Sequence, residues 1–456
     1  VRQNRHITSN VGDGASGAVA APPARPADQE RTNSPGLALG AKAAGLPIAG
    51  LAALLSARIV TDELGLAGYA LFALITTLPA LLPLGDLGAG AALLDAVAAD
   101  DGSPRARAHT RGTLISGARM LNLAGAAVAA TGLVLAGTGT HTWLLGTAAT
   151  PSAGACVAVA GVLIGCTLPL GLGASALAAI DRYHVALLLQ AAGSAAGFGL
   201  VVVAAGLDAH AAVYCAGPLA GQCAAGAAAL ALAARALGMP MLRTVAASVR
   251  PGQQGTRIMH LAGPMTVIYT TSALTYGTDR LVLGHTTSAA AVAVYSAGAQ
   301  LYRPAAALLS SAALPLWGRY VQRRGAGGGT PRGELARLVA WFAGAALVVG
   351  GGLVACGPPV ADWMLHGEAP VGPGLMAAFG LLILVHAVNH PVGMWLSDAP
   401  GLRFQARGAV AMTAVSLALS VPLAIALGPA GPVLASALAF AVCVAVPCHR
   451  RAFRHG

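Results

Sequence analysis

The chain has 456 residues, 56% of hydrophobic type and only 9% charged, with a mean hydropathy of +0.71. So few charges cannot cover a water-soluble body of this size, which excludes an ordinary globular domain and makes lipid the expected solvent. The net charge of +11 would suit nucleic acid if it formed a patch, but the arginines punctuate long apolar runs, so no nucleic-acid partner is expected.

Residues 1–35, rich in Pro, Ala, Ser and Asn, lack hydrophobic periodicity and any apolar core of the signal-peptide kind, so a disordered cytoplasmic tail is expected. Twelve apolar stretches follow, each long enough to cross a hydrocarbon layer. They lie near 36–58, 66–88, 112–136, 154–179, 185–207, 211–236, 257–280, 289–316, 338–356, 370–396, 409–427 and 430–448. Placing the N-terminus inside puts all 27 Lys and Arg residues on the cytoplasmic side, except Lys42, Arg58, Arg280 and Arg303. Both termini are therefore expected in the cytoplasm, in a cytoplasmic (plasma) membrane protein. The five Trp residues (Trp143, Trp317, Trp341, Trp363 and Trp395) fall at span ends or short loops, where amphipathic rings meet headgroups.

The connection over 237–256 divides the spans six and six, and a weak internal echo supports the division. Arg58-Ile-Val with Gly68-Tyr69 resembles Arg280-Leu-Val with Val294-Tyr295, and Leu82-Pro83-Leu84 resembles Leu314-Pro315-Leu316. The expected architecture is all-α and integral to the membrane. It comprises a tail (1–35), an N-lobe (36–236), a cytoplasmic linker (237–256), a C-lobe (257–449) and a short cytoplasmic tail (450–456), with a central cavity between the lobes. Gly36/Gly40, Gly161/Gly165, Gly193/Gly197 and Gly217/Gly221 have the spacing that lets membrane helices approach closely.

Soluble catalytic signatures are missing. The only lysine, Lys42, does not follow a Gly-rich phosphate loop, and there is no HExxH and no metal-ligand cluster. No enzyme activity, cofactor or metal is expected. The seven cysteines show none of the spacings of a zinc site or disulfide scaffold and read as small buried hydrophobes.

Charges inside the lipid zone are the informative residues, because each costs a few kcal/mol unless paired or facing water. Lys42 lies about 8 Å into span 1 and Arg303 about 20 Å into span 8, near the bilayer centre. Arg58 and Arg280 occupy the matching outer ends of spans 1 and 7. Asp86 is at the depth of Lys42, and Asp279, Asp62 and Glu63 are near the outer arginines, so structural ion pairs are one reading. Arg303 has no acid at its depth. Either carbonyls and water satisfy it or it faces a cavity that receives an anion, and its fork suits phosphate oxygens. His260 and the Asn389-His390-Pro391 break are candidates for ion coupling.

Several segments together resemble the multidrug/oligosaccharidyl-lipid/polysaccharide (MOP) flippase superfamily, which includes MATE exporters, and within it the polysaccharide repeat-unit exporters. These are Ala57-Arg58-Ile59-Val60, Leu64-Gly65, Gly68-Tyr69 and Gly85-Asp86-Leu87-Gly88, then Thr278-Asp279-Arg280-Leu281-Val282-Leu283-Gly284, Val294-Tyr295-Ser296-Ala297 and Leu314-Pro315. The resemblance implies alternating access and translocation of a polyprenyl-diphosphate-linked oligosaccharide, with spans 1, 2, 7 and 8 lining the cavity. Partners would be the lipid-linked anionic glycan, membrane lipids and glycan-assembly proteins. A proton- or sodium-coupled exporter of a small molecule is the alternative within the same fold. A glycan polymerase or ligase is a third reading, disfavoured because no sizeable outer loop exists to carry catalytic groups.

Overall fold

A computed structural model describes residues 35–81, 89–98, 100, 102–250, 252–256, 271, 277–325, 332–396 and 399–455. The N-terminal tail, Asp86, His260 and most of span 7 lie outside the described residues. Everything described is helix or short connection.

The first helix, α1 (Pro35–Leu81), carries two predicted spans in one run and turns between them at Gly65, whose φ of 66° a side chain would resist. A short α2 (Ala89–Ala98) precedes α3 (Pro104–Thr138). That helix starts where the Ser103 hydroxyl caps the Ala106 N–H with Pro104 at the first turn, and it stops at left-handed Gly139. Next come α4 (His141–Leu145), a single turn over Gly146–Ala148, α5 (Ala153–Leu170), α6 (Leu172–Ala179), α7 (Tyr183–Gly206), α8 (Ala211–Leu237) and α9 (Met241–Ala247). The second half runs α10 (Asp279–Thr286), α11 (Ala289–Gly325), α12 (Arg332–Met364), α13 (Pro373–Trp395), α14 (Ala399–Leu427), α15 (Ala430–Phe440), a π-helical segment over Ala441–Ala445, and α16 (Val446–His455). Among the described residues nine helices are long and apolar enough to cross a membrane, and one of them, Gly40–Pro79, holds both arms of α1.

Two departures from the expected elements share a cause. α11 extends to Gly325 rather than 316, and α14 begins at Ala399 rather than 409. Both extensions are arginine-bearing turns that leave the apolar layer without ceasing to be helical, and hydropathy registers only the layer. The anticipated break at Asn389-His390-Pro391 is absent, because α13 runs unbroken through Pro391 to Trp395.

Helices α1 to α8 pack mainly on one another, as do α10 to α16, and a large apolar core spans both sets. In lipid there is no hydrophobic drive between helices, so close backbone approach must supply the attraction. The glycine pairs do this in antiparallel register. Gly193 and Gly197 of α7 face Gly221 and Gly217 of α8, while Gly161 and Gly165 of α5 face Gly132 and Gly125 of α3. A Cβ on Gly221 would lie 2.1 Å from the Gly193 carbonyl oxygen. Gly40, by contrast, has open space around it and takes no part in this packing.

The chain leaving α8 is strapped to α3. Arg119 donates to the carbonyls of Ser248 (2.9 Å) and Gln253 (2.8 Å). Asn122 donates to the Val245 carbonyl and the Ser248 hydroxyl. Ser116 donates to the Thr256 carbonyl, and the Thr256 N–H donates to Gly112. Asn122, an intramembrane polar residue by sequence, thus serves the connection between the two halves.

Two outcomes test these contacts. Gly221→Leu should lower the melting temperature by several degrees, since overpacking against backbone costs about 1–3 kcal/mol, whereas Gly199→Leu, with open space beside it, should leave it unchanged in a detergent thermal-shift measurement. Arg119→Ala should accelerate proteolytic cleavage within 248–256 severalfold, because it removes two charge-assisted hydrogen bonds.

Candidate functional site

The chain direction places the starts of α3 and α12 and the ends of α8 and α16 on one face, rich in arginine, and the turns at 62–65, 139–150 and 364–372 on the other. At the arginine-poor face the two halves touch. Arg58 of α1 donates to the Trp363 carbonyl and lies over the Trp363 ring, 4.4 Å from its centroid. His366 reaches back to the Arg58 carbonyl at 3.2 Å and to the Asp62 carboxylate at 3.8 Å. The Thr147 hydroxyl donates to the Gly284 carbonyl, and His285 bonds the Trp143 carbonyl. A Cβ on Gly146 would collide with that Gly284 carbonyl oxygen. This face is closed.

Below it, Arg280 is 3% exposed and joins the halves through hydroxyls. Its Nε donates to Ser296 (2.8 Å), its Nη1 to Thr77 of α1, and its charge lies over the Tyr295 ring. Its neighbour Asp279 accepts from the Tyr295 hydroxyl at 2.8 Å rather than from an arginine, and its Oδ1 is buried without a hydrogen-bond partner. The sequence reading names Arg58 and Arg280 as cavity cations. Carbonyl, hydroxyl and aromatic groups already satisfy both forks, and neither arginine lines the cavities described next. Arg280 also lies short of the outer end of its helix, since α10 continues six residues further to Thr286.

Arg303 is different. It lies fourteen residues beyond the start of α11, about 21 Å along the helix. It is exposed and stands on the wall shared by two cavities. One, of about 380 Å³, lies within the second half and is lined by Asp279, Tyr295, Tyr302, Ser310, Phe379, His386 and His390. The other, of about 160 Å³, lies between the halves and is walled by Ser56, Thr76, Ser194, Gln222 and Gln300. Among the described residues no carboxylate pairs with Arg303. Gln222 in turn borders a third cavity of about 220 Å³ between α5, α7 and α8, with a lining mostly of Ala, Gly and Leu.

Of the other sequence candidates, Lys42 is half-buried on the first arm of α1 and lines none of these cavities. Its expected partner Asp86, and His260, lie outside the described residues. Asn389 is buried with an unpartnered Oδ1, and His390 lies 3.2 Å from the Ser310 hydroxyl. Sequence reasoning missed the aromatic wall, in which Tyr302 stacks on Phe379 at 5.0 Å and Tyr295 tilts against it at 5.7 Å. Nor did it single out His386, whose ring sits 4.1 Å from Phe440 at the start of the π-helical segment. That segment is invisible to hydropathy.

No protein-family model and no curated protein matches this sequence. Solved structures do. The chain is similar to "Lipid II flippase MurJ, inward closed conformation" over 88% of its own length and 85% of that chain, with TM-score 0.64 and 11% identity. The likeness is one of fold, and the architecture resembles that of MOP-superfamily transporters. A second neighbour, "Inward-facing conformation of a multidrug resistance MATE family transporter of the MOP superfamily", has TM-score 0.59 at 15% identity, covering 89% and 95% of the two chains. A third, "Crystal structure of MATE in complex with MaL6", has TM-score 0.60 at 14% identity, covering 94% and 99%. Among the described residues Arg303 lines two of these cavities, with Asp279 on the wall of the larger one and no ion pair to Arg303.

The closed face has a measurable consequence. Arg58→Ala removes a charge-assisted hydrogen bond and a cation–π contact, so it should raise labelling of a cysteine placed at buried Thr61 by roughly tenfold, read with a membrane-impermeant maleimide.

Proposed function

We propose that this protein is a transporter of twelve spans in two six-helix lobes that moves a polyprenyl-diphosphate-linked oligosaccharide across the cytoplasmic membrane by alternating access. Both termini are cytoplasmic in this reading, as the arginine distribution requires. One observation carries it: Arg303, deep in the apolar layer, borders two cavities and has no carboxylate partner among the described residues. A guanidinium in that position needs water or an anion, and its five donors match a diphosphate.

The rest of the site supports an amphiphilic cargo. Ser56, Thr76, Ser194, Gln222 and Gln300 give the cavity between the halves hydrogen-bonding walls, while the crevice beyond Gln222 is mainly apolar. Lys42, with Asp86, serves as a first contact toward the cytoplasmic end. Arg58 and Arg280 hold the outer side shut and meet the headgroup when it opens. Asp279, Asn389 and His390 are the coupling groups. The MOP-type fold supports the lobe motion and a carrier rather than an enzyme.

A second reading, a proton- or sodium-coupled exporter of a small molecule, is favoured by one feature. The larger cavity combines a carboxylate with stacked Tyr302 and Phe379 rings, a lining that suits an organic cation. Translocation of lipid-linked sugar in inverted vesicles separates the two. Arg303→Ala should reduce the rate at least tenfold and Arg303→Lys should restore part of it. Wild-type rates in Arg303→Ala would remove the proposed role. Drug sensitivity of a deletion strain with intact surface glycan would favour the exporter.

A further inference from the structure

One contact between the halves asks for more N–H groups than a neutral side chain carries. His285 is exposed in the last turn of α10, and both of its ring nitrogens face backbone carbonyls. Nδ1 lies 2.7 Å from the Leu281 oxygen of its own helix, and Nε2 lies 2.7 Å from the Trp143 oxygen of the first half. A carbonyl oxygen only accepts. A neutral imidazole has one N–H and one lone pair, so it satisfies one of these contacts and turns its lone pair on the other oxygen, whereas the imidazolium donates to both. The last turn of a helix also favours a cation.

We propose that His285 is a proton-operated latch on the arginine-poor face. A proton taken up from the extracytoplasmic side completes the bridge to Trp143 and holds the halves closed, and its loss to water releases the bridge. The placement of this face outside relies on the arginine bias. Only an N–H bond forms or breaks, with water as the donor and the acceptor of the proton. The closed contact needs that proton and an open face does not. Closure therefore strengthens as the outside pH falls through the range in which histidine titrates, and weakens as it rises.

The elements packed on α10 bring other titratable groups. The turn over Gly146–Ala148 and α15 carry none, and α14 has Arg403 and Arg407 at its opposite, cytoplasmic start. On α4, His141 has its Nδ1 3.1 Å from the Leu135 carbonyl. On α11, Tyr295 is bonded to Asp279 of α10, while Tyr302, Arg303 and the arginines from Arg319 onward follow further from this face. Arg280 of α10 is bonded to Ser296 and Thr77. The second contact at the face, His366 with the Arg58 carbonyl, uses one ring nitrogen, so a neutral ring can make it. The Asp62 carboxylate 3.8 Å away gives that contact a pH response of its own, which the test removes separately.

A cysteine placed at buried Thr61 and labelled with a membrane-impermeant maleimide reads the opening. Normalising at each pH to the same protein denatured cancels the titration of the thiol. Labelling should then rise about tenfold between about pH 5.5 and about pH 8, the effect of one charge-assisted hydrogen bond. His285→Gln should flatten the rise, and His366→Asn should leave most of it. Trp143→Phe, which keeps the carbonyl, should keep it whole. A flat profile with His285 in place, or an equal rise in His285→Gln, would overturn the proposal. The first of these results needs no latch variant to fold. No cargo is present, so the outcome is independent of whether the cargo is a glycan lipid.

Discussion

The cost of placing a guanidinium among acyl chains governs this molecule. Each arginine within the apolar layer must find water, an anion or a set of protein acceptors, and the structure uses these remedies in different places. Arg58 takes a carbonyl and an indole face, and Arg280 takes two hydroxyls and a phenol ring. Both remedies reach across from one half to the other, so satisfying the charge and closing the arginine-poor face are the same event. Arg303 takes cavities instead. Opening the closed face would strip Arg58 and Arg280 of these acceptors and leave water or an anion to replace them.

The scaffold that permits this arrangement depends on small side chains. The paired glycines of α3 with α5 and of α7 with α8 bring backbones into contact, giving the first half a dense interior without large residues. The second half relies more on aromatics. Tyr295, Tyr302 and Phe379 line its cavity, and Phe342 and Phe440 back His390 and His386. A half zipped by glycines facing a half whose cavity is walled by aromatic rings is an asymmetry that the sequence echo between them conceals.

Much of the fold was legible because hydropathy measures the apolar layer directly. The stretch 211–236 became Ala211–Leu237, and 185–207 became Tyr183–Gly206. Failures came where helices outlast the layer, as with the Arg319 to Arg324 turns of α11. Arg303 was legible as a candidate because a charge inside an apolar run breaks the pattern. The partners of Arg58 and Arg280 were not legible, because they are chosen in three dimensions. Trp363 is 305 residues from Arg58, and Thr77 is 203 residues from Arg280. The aromatic wall left no signal, since tyrosine and phenylalanine are ordinary residues in membrane helices.

The strap on α3 has a mechanical consequence. By clasping 245–256, Arg119, Asn122 and Ser116 move the point at which the chain departs from the first half. It leaves at Thr256 beside Gly112, not at Leu237 where α8 ends. Any swing of the second half must therefore pivot about the foot of α3, on a tether shortened by some twenty residues.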